Sequence, residues 1–413
     1  MEQPVLVSYA VGWDLSSRAA LEPLSRAGAQ ARDAAGEPYV TVHRRPGRAE
    51  PVEVHLVAWN ASYVGVWAYD DQGRRTREAD WRLIEPERLF LLRVAQWCYD
   101  SPDQPEFGPG VALTYQDLWP DGKGSKVVER PGGGSTHTLA DLPLAERWLS
   151  RDRFGAGGAG GLHFPDAGGG SGWAENPRRE PEAAAGTPKP WQPPRPGRPE
   201  CLTELFQPGT RLGTDHQPEM TVTDVREIAR LRLPSGRLIV GDPVSGGSDA
   251  DRELTERFAP GSYPLQTAVL AYEYEFMGEH VAVEEPVAVR LLLSDEPVAS
   301  WELALGADDD VRLLRDGSVY GFDTDGAAGS FADASGWEVL AGKARSHHED
   351  GGDAAEVIAD GHIRATDEAT DSDLVTFYTG GDGTHPVWLG RSQSGAPVGV
   401  AVVTDYLTGL HLL

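Results

Sequence analysis

The chain has 413 residues, 40% of them hydrophobic, and a formal charge of −27, enough apolar material for more than one core in an acidic protein. It holds no apolar run near the roughly 20 residues of a membrane-spanning helix, and its acidity repels phosphate backbones, so neither a membrane nor a nucleic-acid partner is expected. Cys98 and Cys201 are its only cysteines, which excludes a disulfide framework and a thiolate zinc site.

The opening MEQPVLVSYAVGW carries Glu2 where a secretory leader is positive, so the cytoplasm is the expected location. Within it PVLVSYAVGW reads as a strand, and RAALEPLSRAGAQARDAA after it has helical composition. VEVHLVAW, SYVGVWAYD and RRTREADWRL alternate apolar and polar residues, with DDQG as a turn, and predict a three-strand antiparallel meander. PERLFLLRVAQWCYD has a helical pattern with proline at its start, and Cys98 within it reads as a small buried side chain. Trp59, Trp67, Trp81 and Trp97 recur at strand and helix spacings and read as core. PDGKGSKVVERPGGGSTHT reads as an exposed Gly-rich loop, since Lys123 and Lys126 do not stand in phosphate-loop order.

From Gly155 the chain turns to glycine, then to proline, arginine and glutamate, a composition that buries too little apolar area to order itself. GAGGAG at 155–160 matches the letters of a dinucleotide fingerprint without the strand and helix it needs. The expected organisation is therefore two domains: 1–154 of α+β class with an antiparallel meander, a disordered Gly/Pro-rich linker over 155–199, and 200–413 mainly β. The last reads as an antiparallel sandwich or barrel-like sheet with one or two short helices, near 248–258 and 335–345. Its strands include REIARLRL and GRLIVGDP around a Pro234-Ser235-Gly236 turn, and two long ones around Gly278. HHEDGGDAAE at 347–356 reads as an acidic loop.

No HExxH, GxSxG or phosphate-loop signature occurs. The candidate catalytic residues are Asp242 in VGDP, Asp382 and His385 in GGDGTHP, and Asp405 in VVTDYL; the three aspartates read first as turn or strand-end acids, Asp405 least readily because it follows the apolar run GVAVV. Arg290, inside VAVRLLL, reads as half of an Arg–Asp structural pair or as an anion site. FDTDGAAGSFAD suggests calcium, but the first and twelfth loop positions lack oxygen ligands, which leaves Asp323, Asp325 and Asp333 as candidates for a divalent ion in another geometry.

PSGRLIVGDP, FAPGSYPLQTAV, VAVRLLLSDEPVASWELAL, VYGFDTDGAAGSFAD and FYTGGDGTHPVWLGRSQSGAPVGVAVVTDYL, in that order, resemble the bacterial domain of unknown function 4241. Thr384-His385 depart from it, standing where an aromatic pair such as Phe-Tyr is common. The resemblance implies a bacterial domain and supplies no activity. Nothing in 1–154 carries such a resemblance.

Charge is uneven: residues 201–413 hold 37 Asp and Glu against 14 Lys and Arg, a net of −23, which leaves −4 for residues 1–200. The expected function is an acidic protein-binding or immunity-type module with a basic protein as partner and no cofactor. Two alternatives stay open: a hydrolytic or metal-assisted enzyme built on the Asp/His set, and a small-ligand sensor with the Trp-rich N-terminal part as binder. The sequence leaves the oligomeric state open.

Overall fold

The computed structural model describes residues 5–140, 143, 147–155, 189–217, 219–245, 251–351, 353–404, 407 and 409–413. Its contacts divide the chain into two compact units, Met1–Arg195 with Val311–Asp316, and Pro196–Asp310 with Gly317–Leu413. Among the described residues no helix is long and apolar enough to cross a membrane.

In the first unit β1 (Leu6–Asp14), β2 (Ala19–Leu24), β3 (Tyr39–Arg44), β4 (Glu53–Ala58), β5 (Tyr63–Tyr69), β6 (Arg75–Glu85), β7 (Arg88–Cys98), β8 (Ala112–Leu118), β9 (Gly124–Arg130), β10 (Gly133–Leu139) and β11 (Trp148–Ser150) form one antiparallel sheet. The order is β10-β9-β8-β7-β6-β5-β4-β3-β1-β2, with β11 against β7, so the expected meander is the middle of a longer one. Helix α1 (Arg26–Ala35) starts where Ser25 accepts from the Gly28 amide and ends at Gly36, whose φ of 74° suits glycine. The expected helix thus loses its first third to β2. Trp59, Trp67 and Trp81 are buried as expected.

Three expectations for this unit are corrected. PERLFLLRVAQWCYD is strand β7, not a helix. Leu89, Phe90 and Leu91 ladder to β6 in regular register and are all buried, so both faces of the strand are covered there and the alternation that marks a half-exposed strand is lost. The Gly-rich segment is the β9–β10 hairpin, turned at Gly132 (φ 90°), with Val127 packed against Tyr115 and Ala95. Cys98 is exposed at the end of β7. The linker expectation lies outside the described residues for 156–188. Beyond them the Lys189 amide donates to Asp14 Oδ1 (2.8 Å), the Trp191 amide to the Trp13 carbonyl (2.7 Å), and the Trp191 ring lies 5.7 Å from that of Tyr63.

The second unit contains β12 (Arg211–Gly213), β13 (Met220–Leu233), β14 (Arg237–Gly241), β15 (Asp251–Arg257), β16 (Gly261–Phe276), β17 (Glu279–Leu292), β18 (Ser300–Leu303), β19 (Gly321–Thr324), β20 (Ala328–Asp333), helix α2 (Trp337–Asp350), β21 (Glu356–Val357), β22 (Ile363–Asp367), β23 (Ser372–Tyr378), β24 (Gly383–Arg391), β25 (Pro397–Val403) and β26 (His411–Leu412). One sheet runs β18-β24-β25-β17-β16-β13-β12-β26, with β19 on β24, and the other runs β15-β14-β20-β23-β22-β21. Leu231, Leu265 and Val400 of the first sheet share one core with Leu238, Phe331 and Val375 of the second, which is the expected antiparallel sandwich. Each such side chain contributes about 1.5–3 kcal/mol on burial.

Helix α2 appears where a helix was expected and runs further, taking in His347 and His348, so only the later part of HHEDGGDAAE leaves the helix. The helix expected near 248–258 is corrected to strand β15: DRELTER favours a helix locally, but Leu254 belongs to the core and the backbone ladders to β14.

One buried pair sets a pH response in the first unit. His43 and His55 lie 4.4 Å apart between rings on neighbouring strands β3 and β4. Burial, then the charge of His55, pulls the His43 pKa down to about 4, with Glu53 opposing. A depressed histidine pKa gives stability that is complete above the ordinary value near 6.5 and lost as pH falls toward 4. Urea titrations of the full chain are expected to show about 2 kcal/mol lost between pH 7 and 5, and His43→Gln to flatten that slope.

Candidate functional site

The glycine-rich stretch from Phe377 to Arg391 is the turn between β23 and β24, and it closes over a second turn, between β19 and β20. The Thr379 amide donates to the Ala327 carbonyl (2.9 Å), and the Gly380 amide to the Thr404 carbonyl. In return the Ala327 amide donates to Asp382 Oδ1 (3.1 Å). Ladder pairs Phe322–His385 and Asp323–Thr384 hold β19 against β24, and Thr384 Oγ1 donates to Asp323. This ladder needs Gly321, because a Cβ there would sit 2.1 Å from the His385 carbonyl oxygen.

Asp242 enters the same place from the end of β14. It is 2% exposed, and its Oδ1 accepts from the amides of Val244 (2.8 Å) and Ser245 (3.1 Å). Its Oδ2 accepts from the hydroxyls of Ser245 and Thr324, both at 2.6 Å. Thr324 Oγ1 in turn accepts from the amides of Gly326 (3.2 Å) and Ala328 (3.1 Å). Burial raises the Asp242 pKa, but the hydrogen bonds from Ser245, Thr324 and the two amides outweigh it, so the carboxyl titrates below its ordinary value. A carboxylate that holds four donors has little proton affinity to offer a substrate.

His385 is buried, stacked on Phe322 at 5.7 Å, with Nε2 3.0 Å from the Gly381 carbonyl. That contact requires the proton on Nε2. Asp382, Asp242 and His385 therefore gather around one pair of turns, each tied to backbone or hydroxyl groups. Asp405 lies outside the described residues.

The metal candidates do not gather. Asp323 and Asp325 are exposed near the β19–β20 turn, while Asp333 ends β20, about 16 Å of strand away. Asp333 is fully buried and accepts from the amide and hydroxyl of Ser235 (2.9 and 2.8 Å) and the amide of Ser335 (2.8 Å). Among the described residues no three His, Cys, Asp or Glu are placed to hold a metal ion. Arg290 donates to Gln266 Oε1 (2.7 Å) and lies 4.3 Å from the centre of the Phe206 ring, its Nε buried without an acceptor, and burial lowers its pKa.

Sequence reasoning passed over one charged cluster. Asp373, fully buried on β23, takes Arg232 of β13 and Arg364 of β22, each at 2.9 Å, and the Thr366 hydroxyl at 2.8 Å. Burial again opposes ionisation, and the bonds from Arg232, Arg364 and Thr366 win, holding the pKa below the usual carboxylate range. No local signal marks this group, since Arg232 and Asp373 stand 141 residues apart. Ser245 did carry one: a hydroxyl three residues after Asp242 is the spacing of a local side-chain turn.

Residues 231–402 match the family described as Protein of unknown function (DUF4241). No curated protein and no solved structure matches the chain. The DUF4241 segment takes in Asp242, Arg290, Asp323, Asp325, Asp333, Asp382 and His385, and ends before Asp405. It thus contains both turns and the three buried aspartates that tie its two sheets.

Thr324→Val removes the hydroxyl that serves Asp242 and two turn amides, and is expected to cost about 1–3 kcal/mol in urea unfolding. Asp242→Asn is expected to destabilise at pH 7 as well. Because the Asp242 pKa is lowered, its stabilisation exists above the ordinary value near 4 and is lost as pH falls below it, so the variant's stability declines less between pH 4 and 3 than the wild type's.

Proposed function

We propose that the chain is an acidic protein-binding module of the immunity type, acting in the cytoplasm on a basic protein. The observation that carries this reading is the net charge of −23 concentrated in residues 201–413. Such a field accelerates encounter with a cationic partner and repels anionic ones. It is supported by the bonding of Asp242 and Asp333, whose carboxylates are occupied by hydroxyls and turn amides. Affinity purification of the tagged full chain from its native cytoplasm is expected to recover one stoichiometric basic protein that dissociates as ionic strength rises. A neutral or acidic partner, or none, overturns the reading.

A second reading, small-ligand binding by the first unit, is favoured by an open groove of about 380 Å³ lined by Leu6, Val7, Ser8, Arg44, Arg45 and Arg48. The Arg45 guanidinium beside two exposed apolar side chains suits an anion with an apolar flank, while Arg44 is held by Ser8 and the Ala49 carbonyl and Arg48 by Asp71. Millimolar citrate is expected to raise the melting temperature saturably, and Arg45→Ala to abolish the rise. No rise in the wild type removes this reading.

A further inference from the structure

Strands β16 and β17 make a hairpin that outruns the sheet carrying it. Strand β13 ladders to β16 only as far as Tyr272, and β25 ladders to β17 only from Ala288. Between them Glu273–Phe276 and Glu279–Ala282 ladder only to one another among the described residues. The register gives this arm two unlike faces, because residues opposite each other in an antiparallel pair share a face. One face carries the pairs Tyr272–Val283, Tyr274–Val281 and Phe276–Glu279, with the two tyrosine rings 6.2 Å apart. The other carries Ala271–Glu284, Glu273–Ala282 and Glu275–His280.

The tip places Met277 and Gly278 at φ 53° and 83°, a two-residue turn whose first position favours asparagine, aspartate or glycine. Met277 is nevertheless there and 89% exposed, with Phe276 at 56% and Tyr274 at 41%. Neither turn geometry nor solvation accounts for three large apolar side chains at one tip. Residues 271–286 also hold five glutamates and no lysine or arginine. That charge disfavours a second copy of this chain and an anionic lipid surface, and matches a basic surface.

We propose that the β16–β17 arm is the docking element of this protein, with Tyr274, Phe276 and Met277 entering an apolar pocket on a basic protein while the glutamates face its cations. The inference rests on the protein-binding reading above and names the surface that performs it.

The test uses the full chain with a photo-crosslinking residue at position 277, followed by binding measurements with the purified crosslinked protein. The expected adduct is with one basic protein. Phe276→Ser combined with Met277→Asn is expected to weaken its binding at least tenfold. The melting temperature should hold, since asparagine suits the turn better than methionine. Undiminished binding by this variant, with a basic partner still recovered, overturns the arm and leaves the protein-binding reading intact. Recovery of no basic partner by any route overturns both. An adduct only with a second copy, or cosedimentation with phosphatidylserine vesicles that the double variant loses, overturns the assignment to a basic protein.

Discussion

The second unit depends on buried carboxylates placed where one sheet meets the other. Asp242 ties the end of β14 to Thr324 on β19, which belongs to the opposite sheet. Asp333 on β20 holds the turn at Ser235 that carries the chain from β13 to β14, again between sheets. Asp373 on β23 reaches across to Arg232 on β13. Apolar packing between sheets is not directional and tolerates sliding. An ionised group excluded from water tolerates little, because each donor it loses costs about 1–3 kcal/mol. The aspartates thus fix the register of two sheets whose adhesion comes from the core.

This division of labour explains the turn between β23 and β24. Its Gly383 takes a φ of 129° that favours glycine, its Asp382 caps the neighbouring turn, and His385 fills the space against Phe322. Together with Asp242 these residues form a clasp between the β19–β20 and β23–β24 turns. Residues that satisfy each other's hydrogen-bonding capacity make an ordered join.

Much of the fold was legible from the sequence because its signals are local. Alternating strands, the Pro234-Ser235-Gly236 and Gly278 turns and helix α2 each follow from neighbouring residues. Strand β7 was not legible, because burial of both faces over Leu89–Leu91 erases its alternation. Strand β15 was not, because sheet pairing and the burial of Leu254 override the helical preference of DRELTER. At the site, Asp242, Asp382 and His385 could be named from turn chemistry, but their association depends on Thr324 and Ala327, which only the fold brings near. The Asp373 cluster depends on partners from three strands and has no sequence signature at all.

The acids of this chain fall into two kinds. Asp242, Asp333 and Asp373 are withdrawn from water and bonded on several sides, so they are out of direct reach of a partner's cations. Glu273, Glu275 and Glu279 of the β16–β17 arm are exposed on its two-stranded part, and Glu284 is exposed at its base. An exposed ribbon edge ordinarily risks pairing with other chains, and the charges of Glu279, Glu284 and Glu285 oppose that pairing. They do not require Phe276 and Met277 at the tip, where polar residues would protect against aggregation better. Edge protection therefore accounts for the arm's carboxylates and not for its apolar tip.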